Sequence, residues 1–333
     1  MRQPGARQQA GIALLTAIIL VAVAAVIATA IGWQSQLAAR RGSAVFTVAQ
    51  SLALAEGAEA MAAYALTTLP SGGTTVAPSQ AWAQPLGPVE IDHGALLEAA
   101  LEDESGKFNL NSVVQVQGIN PLVPGSPAYV LNPTTFQQFQ NLLTALKLDP
   151  DFAARVVDWI DSNDIATFPG GGEDSFYLTL DPPYRTPNMV LTSVSELLAM
   201  GLDRASYDKL APFVTALPAS TKLNTCTAPG EVLDALSGHS EYAVNPERLA
   251  DTRKHDACFP NPDTVKNGLP AGNRGTPSPG TPSPGALNLG TGSQFFRLRS
   301  WITIGTTHFT LYSLLYISGT GQVRPILRTF GTE

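Results

Sequence analysis

The run GIALLTAIILVAVAAVIATAIGW, Gly11–Trp33, contains no charged residue. At 1.5 Å of rise per residue, about 20 such residues cross the hydrocarbon core of a bilayer. The ten residues before it carry Arg2 and Arg7 and no acid. This favours a cytoplasmic N-terminus, although Arg40 and Arg41 on the far side weaken the asymmetry. The run is longer than a secretory h-region and no A-x-A cleavage site follows it. Two readings of it stand: a simple signal anchor, or a short basic leader ending at Gly11 and cut on the cytoplasmic side, so that Ile12 becomes the new N-terminus.

Beyond Trp33 the helical pattern continues. Apolar and small residues recur at Leu37, Val45, Val48, Leu52, Leu54, Ala58, Met61 and Leu66, with polar residues between them. Ser71-Gly72-Gly73 ends the pattern near residue 70. The expectation is one helix of about 55 residues, half in lipid and half packed on a soluble domain.

The rest of the chain reads in blocks. Residues 71–89 are rich in Pro, Gly, Ser and Thr and form a loop. Residues 103–111 read as strand, turn and strand. Between 134 and 240, groups such as Phe136/Phe139/Leu142/Leu143/Leu146, Phe152/Val156/Val157/Trp159/Ile160, Val194/Leu197/Leu198 and Tyr207/Leu210/Phe213 have helical spacing and are bounded by Pro or Gly. Residues 266–292 include GTPSPGTPSPG, a linker or surface loop unable to form a core. Four segments follow, Phe295–Ser300, Trp301–Thr306, His308–Ile317 and Gln322–Thr329, rich in aromatic and β-branched residues, and read as antiparallel strands. The order implies an α+β domain whose early and late strands pack on the long helix, with an all-α domain inserted between them.

The 333 residues carry a net charge of −7, which argues against a general nucleic-acid binder. Only two cysteines are present, Cys226 and Cys258. They are too few for a thiolate zinc site. In an oxidising compartment they form one disulfide; otherwise they are two buried thiols.

The most pointed chemical motif is Asp158-Trp-Ile-Asp161-Ser-Asn-Asp164, followed by Gly170-Gly-Gly-Glu173-Asp174 and Tyr184-Arg-Thr-Pro-Asn188. Asp158 and Asp161 lie one helical turn apart on one face. Clustered carboxylates repel unless a cation sits among them, and calcium suits oxygen donors in flexible geometry. No His or Cys is near, which disfavours zinc. The spacing is not that of an EF-hand, and solvated acids or a helix-end cap are the bland alternatives. A paired-carboxylate enzyme is disfavoured, because no second catalytic motif accompanies the acids and His93, His239, His255 and His308 are scattered.

The leader Arg7-Gln-Gln-Ala-Gly11 followed by Ile12-Ala-Leu-Leu-Thr16, the phrase Gly106-Lys-Phe-Asn-Leu-Asn111, and DWID…GGGED…PPYRTPN resemble the K-class minor pseudopilins of type II secretion along nearly the whole chain. Most pilins carry Glu at the fifth mature position; here it is Thr16, and the K class also lacks the Glu. That carboxylate is thought to neutralise the terminal amine of the subunit added before, so a first subunit needs none.

The resemblance implies a pilin-like fold divided as leader 1–11, transmembrane part 12–33, first pilin-like part 34–115, helical insertion 116–265, linker 266–292 and final strands 293–333. It implies processing at Gly11 and Ile12 by prepilin peptidase, methylation of the new amine, and a single pass through the inner membrane with the soluble part in the periplasm. The implied partners are minor pseudopilins of the I and J classes in a tip complex; secreted substrate proteins are further candidates. Calcium is implied in the insertion, with Asp161, Asp164, Glu173 and Asp174 as first ligands and Asn188 next.

Lys222–Ala228 resembles the K-class NVNTA element and, more loosely, the helix-hairpin-helix of DNA receptors. With Lys222 the only base nearby, the segment reads as packing, with Thr227 as N-cap and Pro229 in the first turn of a helix. The rival readings are a minor pilin of a type IV pilus and a membrane-tethered DNA receptor.

Overall fold

In the computed structural model, residues 6–69, 75–91, 94–120, 125–238, 240–268 and 288–331 are described. Helix α1 runs from Ala6 to Thr67. Strands β1 (Leu86–Ile91) and β2 (Ala95–Asp103) follow it. After them come a short strand β3 (Phe108–Asn109) and the hairpin β4 (Val114–Ile119) and β5 (Pro127–Leu131). The helical block holds α2 (Pro133–Ala145), α3 (Phe152–Ile160), α4 (Asp174–Tyr177), α5 (Glu196–Ala199) and α6 (Arg204–Leu210). It continues through two-residue strands β6 (Val214–Thr215) and β7 (Leu223–Asn224) to α7 (Gly230–Ser237), α8 (Pro246–His255) and α9 (Pro262–Gly268). The chain returns through β8 (Leu289–Gly290) to β9 (Phe295–Ile304), β10 (Thr307–Ile317) and β11 (Val323–Phe330).

Five strands form one antiparallel sheet in the order β1-β2-β9-β10-β11. Strand β2, from before the helical block, lies beside β9, from after it, with Asp103 opposite Phe296. The inserted arrangement expected from the order of segments is therefore what forms. Of the four expected C-terminal segments, the first two are one strand. Gly305 and Thr306 make the only break before β10, and Arg299 to Trp301 continue the alternation without a turn.

Alternation sets which face of the sheet meets α1. Phe296, Leu298, Ser300 and Ile302 of β9 are buried, and Leu311, Ser313 and Leu315 of β10 join them. From α1, Ser51, Ala55, Ala58, Glu59, Ala62 and Leu66 form the matching seam at three- and four-residue spacing. The alanines let helix and sheet approach closely. Residues 12–46 of α1 are exposed throughout, and α1 is the one helix among the described residues long and apolar enough to cross a membrane.

Within that seam sits one charged group. The carboxylate of Glu59 accepts from Arg328 Nη2 at 2.6 Å and Nε at 2.9 Å, and from Ser313 Oγ at 2.7 Å. This ties β11 and β10 to α1. Removing one partner of a buried pair strands the other charge.

The helical block has its own core, built from Phe139, Leu142, Leu143, Val156, Val157, Ile160, Tyr177, Leu197, Leu233 and their neighbours, with no residue of α1. It takes in Phe108, Leu110 and Val113, so this core starts ahead of residue 116. Helices α8 and α9, short and polar, carry too weak an apolar period to be seen in sequence. The disulfide Cys226–Cys258 joins them to the loop before α7. Closing a loop of that length contributes about 3–4 kcal/mol in the chain-entropy model. Arg253 adds a latch, donating to the carbonyls of Thr225, Ala228 and Phe259. The expected linker falls largely in residues 269–287, outside the described residues.

The element at Lys222–Ala228 does pack, but not as a cap. The residue before α7 is Pro229, with no side-chain cap, and Thr227 Oγ1 donates to Asp103 at 2.6 Å. The buried carboxylate at the end of β2, a charge-type acceptor, takes that hydroxyl, which leaves none for the first turn of α7.

Arg328→Met is expected to lower unfolding stability by about 2 kcal/mol, at the low end because the arginine is partly exposed. Glu59→Met combined with Arg328→Met should recover most of it. Denaturant melts of the detergent-purified chain check both; equal loss in single and double variants would count against the clamp.

Candidate functional site

The loop between α3 and α4 is organised by Asp158, which is fully buried. Its carboxylate accepts from the backbone N–H of Thr167 at 3.0 Å and of Gly172 at 2.8 Å. Both ends of the turn at 167–172 thus hang on one side chain. The Gly run serves this close approach. A Cβ on Gly171 would lie 2.3 Å from Asp158 Oδ2, and Gly170 adopts φ +85° with its Cβ position against the Asp151 carbonyl.

Around this loop the sequence-designated acids occupy distinct positions. Asp161 ends α3, is buried, and accepts from the backbone N–H of Asn163 and from its Nδ2 at 2.7 Å. Glu173 is buried at the residue before α4, and Asp174 begins that helix. Thr186 bridges these two, its Oγ1 reaching Asp174 Oδ1 at 3.1 Å and Glu173 Oε2 at 3.5 Å. Arg185 pairs with Asp174 at 3.0 Å. Asp164 is exposed. Asn188 takes a left-handed φ of 48°, which Asn tolerates better than most residues.

Two oxygens stand out. Glu173 Oε1 and Asn188 Oδ1 are both buried and accept no hydrogen bond. Two buried acceptors without donors are costly unless a cation takes them. The electrostatics agree. Burial, then the charges of Asp158, Asp161, Asp164 and Asp174, push the Glu173 carboxyl up to about 8. Burial, then Asp158 and Asp164, outweigh the Asn163 hydrogen bonds and push Asp161 up to about 6.

Among the described residues no three His, Cys, Asp or Glu side chains form a metal cluster by themselves. A hard cation would instead draw on a mixed set of carboxylate, carboxamide and carbonyl oxygens, which is the donor chemistry of calcium. Residues present and group fit on that ground. Its place one turn from Asp161 makes Asp158 a residue of the acidic face or a helix-end cap by sequence, whereas in the structure it holds the turn. Thr186 was not anticipated; its place between Glu173 and Asp174 follows from the return of the Tyr184–Asn188 segment, which no spacing rule reports. Gly11 and Ile12 lie within α1.

Residues 106–219, spanning this loop, match the family model described as type II secretion system protein K. The type II secretion system protein K of Pseudomonas aeruginosa is 30% identical over 98% of this chain and 94% of its own length. The chain belongs to the type II secretion system protein K family. The counterpart from Pectobacterium carotovorum is 28% identical over 97% of both chains. The fold also matches a chain in the crystal structure of the GspK–GspI–GspJ complex of the enterotoxigenic Escherichia coli type 2 secretion system, with a TM-score of 0.66 and 22% identity, covering 88% of this chain and all of that one. As a K-family protein, the chain is a minor pseudopilin of type II secretion, and its long helix over an antiparallel sheet with a helical insertion is the pilin-like α+β fold expected from its sequence.

The raised carboxyls have a pH signature in the cation-free protein. A carboxyl whose folded pKa exceeds its unfolded value of about 4 favours folding below that value and loses this contribution as pH rises to the folded pKa. In EDTA, the melting temperature of the wild type relative to Glu173→Gln should therefore fall between pH 5 and pH 8 and level off above. A difference independent of pH would show that Glu173 titrates normally.

Proposed function

We propose that this chain initiates the type II secretion pseudopilus and forms its tip together with minor pseudopilins of the I and J classes. The observation that carries the reading is Thr16. The apolar half of α1 presents no carboxylate, and the Thr16 hydroxyl turns back to the Ala13 carbonyl at 3.0 Å. A subunit lacking that carboxylate has no means to neutralise the amine of a subunit above it in lipid, and the first subunit has none above it. The helical block supports the same position, since it adds a second core to the soluble part and so bulk that hinders stacking beneath another subunit. The fold is shared with a chain solved in a complex of three such proteins, which motivates the choice of partners.

In this reading prepilin peptidase cuts between Gly11 and Ile12 and the new amine is methylated. Residues 12–33 remain in the inner membrane, and the sheet and helical block lie in the periplasm, where the disulfide is at home. The role is assembly, with no chemistry on a substrate. Calcium is bound by Glu173 and Asn188, whose free oxygens need a cation, with Asp161, Asp164 and Asp174 completing the oxygen set. It offsets part of the charge of the insertion's acids and holds the loops that carry them.

Intact mass spectrometry of the chain purified from a host with prepilin peptidase should show it starting at N-methylated Ile12, and I- and J-class pseudopilins should co-purify with it. A chain retaining Met1, or one that leaves both partners behind, would overturn the tip reading. For the ion, millimolar calcium should raise the melting temperature of the chelated chain by several degrees. Asp161→Asn with Glu173→Gln should abolish the rise. An identical rise in the double variant would place calcium elsewhere.

A further inference from the structure

The turn fixed by Asp158 holds out an apolar side chain. Phe168 is 94% exposed and Ile165, in the same loop, 77%. Single exposed apolar residues are ordinary, but these two sit on an anchored base. Thr167 and Gly172 are bonded to buried Asp158, Gly171 donates to the Thr167 carbonyl at 2.9 Å, and the Ile165 N–H is taken by Asn163 Oδ1 at 2.8 Å. The glycines that allow this turn have no room for a side chain. A side chain displayed from a turn held at both ends loses little entropy when a partner closes over it, which is how aromatic anchors concentrate binding energy.

The surroundings select the partner. Residues 156–184 contain Asp158, Asp161, Asp164, Glu173, Asp174 and Asp181, flanked by Arg155 and by Arg185, which pairs with Asp174. Asp149 and Asp151 add to them, the Gly170 turn resting on the Asp151 backbone. Set against Arg155, Arg185 and one divalent cation, these eight acids still leave the site net negative. An acidic rim repels the anionic surface of a membrane and suits a protein rimmed with basic side chains. The knob also belongs to the helical block, whose core contains no residue of α1, so it stands apart from the helix that meets sister helices in lipid.

We propose that Ile165 and Phe168 form a preordered knob by which the pseudopilus tip engages a protein outside the tip complex, in an apolar socket ringed by Lys or Arg. The inference rests on the tip reading above.

The test uses the full chain in cells of a type II secretion strain lacking its own K protein. The variants are Ile165→Ser/Phe168→Ser and, for the rim, Asp151→Lys/Asp181→Lys, whose carboxylates hold no backbone group. Each should cut export of the system's substrates about tenfold or more, leaving co-purification with the I- and J-class proteins and the melting temperature with calcium unchanged. Unchanged export would overturn the knob. Loss of co-purification together with export would make it a sister-subunit contact instead. Wild-type-level flotation of the purified chain with phosphatidylglycerol vesicles, lost in the serine variant, would make the partner a lipid surface and overturn it too. Should the wild-type chain itself fail to restore export, it is the tip reading that falls, and that outcome is separate from any difference between variants.

Discussion

The carboxylate of Asp103 is where the two halves of this protein are joined. It is buried at the last residue of β2, and no Lys or Arg among the described residues is ion-paired with it. It accepts instead from the Ser105 N–H, Asn224 Nδ2, Thr227 Oγ1 and Ser293 Oγ. Burial pushes its pKa up and those four donors only partly offset it. The chain leaves the sheet after Asp103 and comes back just past Ser293, so one side chain ties the exit of the insertion to its return. Asn224 also donates to the Val76 carbonyl and to Ser293. The helical block can therefore be carried on the sheet only in the arrangement that satisfies this hub, because each donor lost would leave a buried acceptor unpaired.

Next to it a second buried carboxylate is treated in the opposite way. Glu104 is buried too, yet Lys107 and Arg297 flank it, at 2.9 and 3.1 Å. Burial raises its pKa, but the two cations and the Thr215 hydroxyl prevail and hold it below its ordinary value. Arg297 comes from β9 and Thr215 from β6, so the pair of adjacent acids binds sheet, insertion and return strand with different chemistry. Asp103 works through neutral donors and specifies a geometry, whereas Glu104 holds a charge in place with charge.

What could be read in the sequence followed from periodicity. The long helix, the run Phe295–Thr329 as strands, and α2, α3, α5 and α6 all announce themselves through spacing of apolar residues, α7 through the proline at its start, and the order of segments implies the insertion. Interactions between residues distant in sequence left no such mark. Glu59 against Arg328, Asp103 against Ser293 and Thr227, and Thr186 between Glu173 and Asp174 join positions whose partnership only the folded chain creates. The acidic site divides along the same line. Its carboxylates were visible as a local cluster, whereas the assignment of Asp158 to the turn, leaving Glu173 and Asn188 with free oxygens, depends on how the Gly170–Gly172 segment folds back.

The two separate cores have a consequence for how such a protein can vary. The seam of α1 on the sheet is constrained from one side by the helix period and from the other by strand alternation, and Ser51–Leu66 leave little room for change within it. The helical block answers to neither constraint, since it meets the sheet at the hub and buries its own apolar faces among α2, α3 and α7. Its surface loops are then held by internal carboxylates such as Asp158, and Asp234 does the same for the N–H groups of Glu241, Tyr242 and Ala243. A buried acid that collects backbone donors fixes the shape of a loop while leaving its outward side chains free. The fold thus separates the seam that carries the long apolar helix from loops whose outward side chains are free to differ.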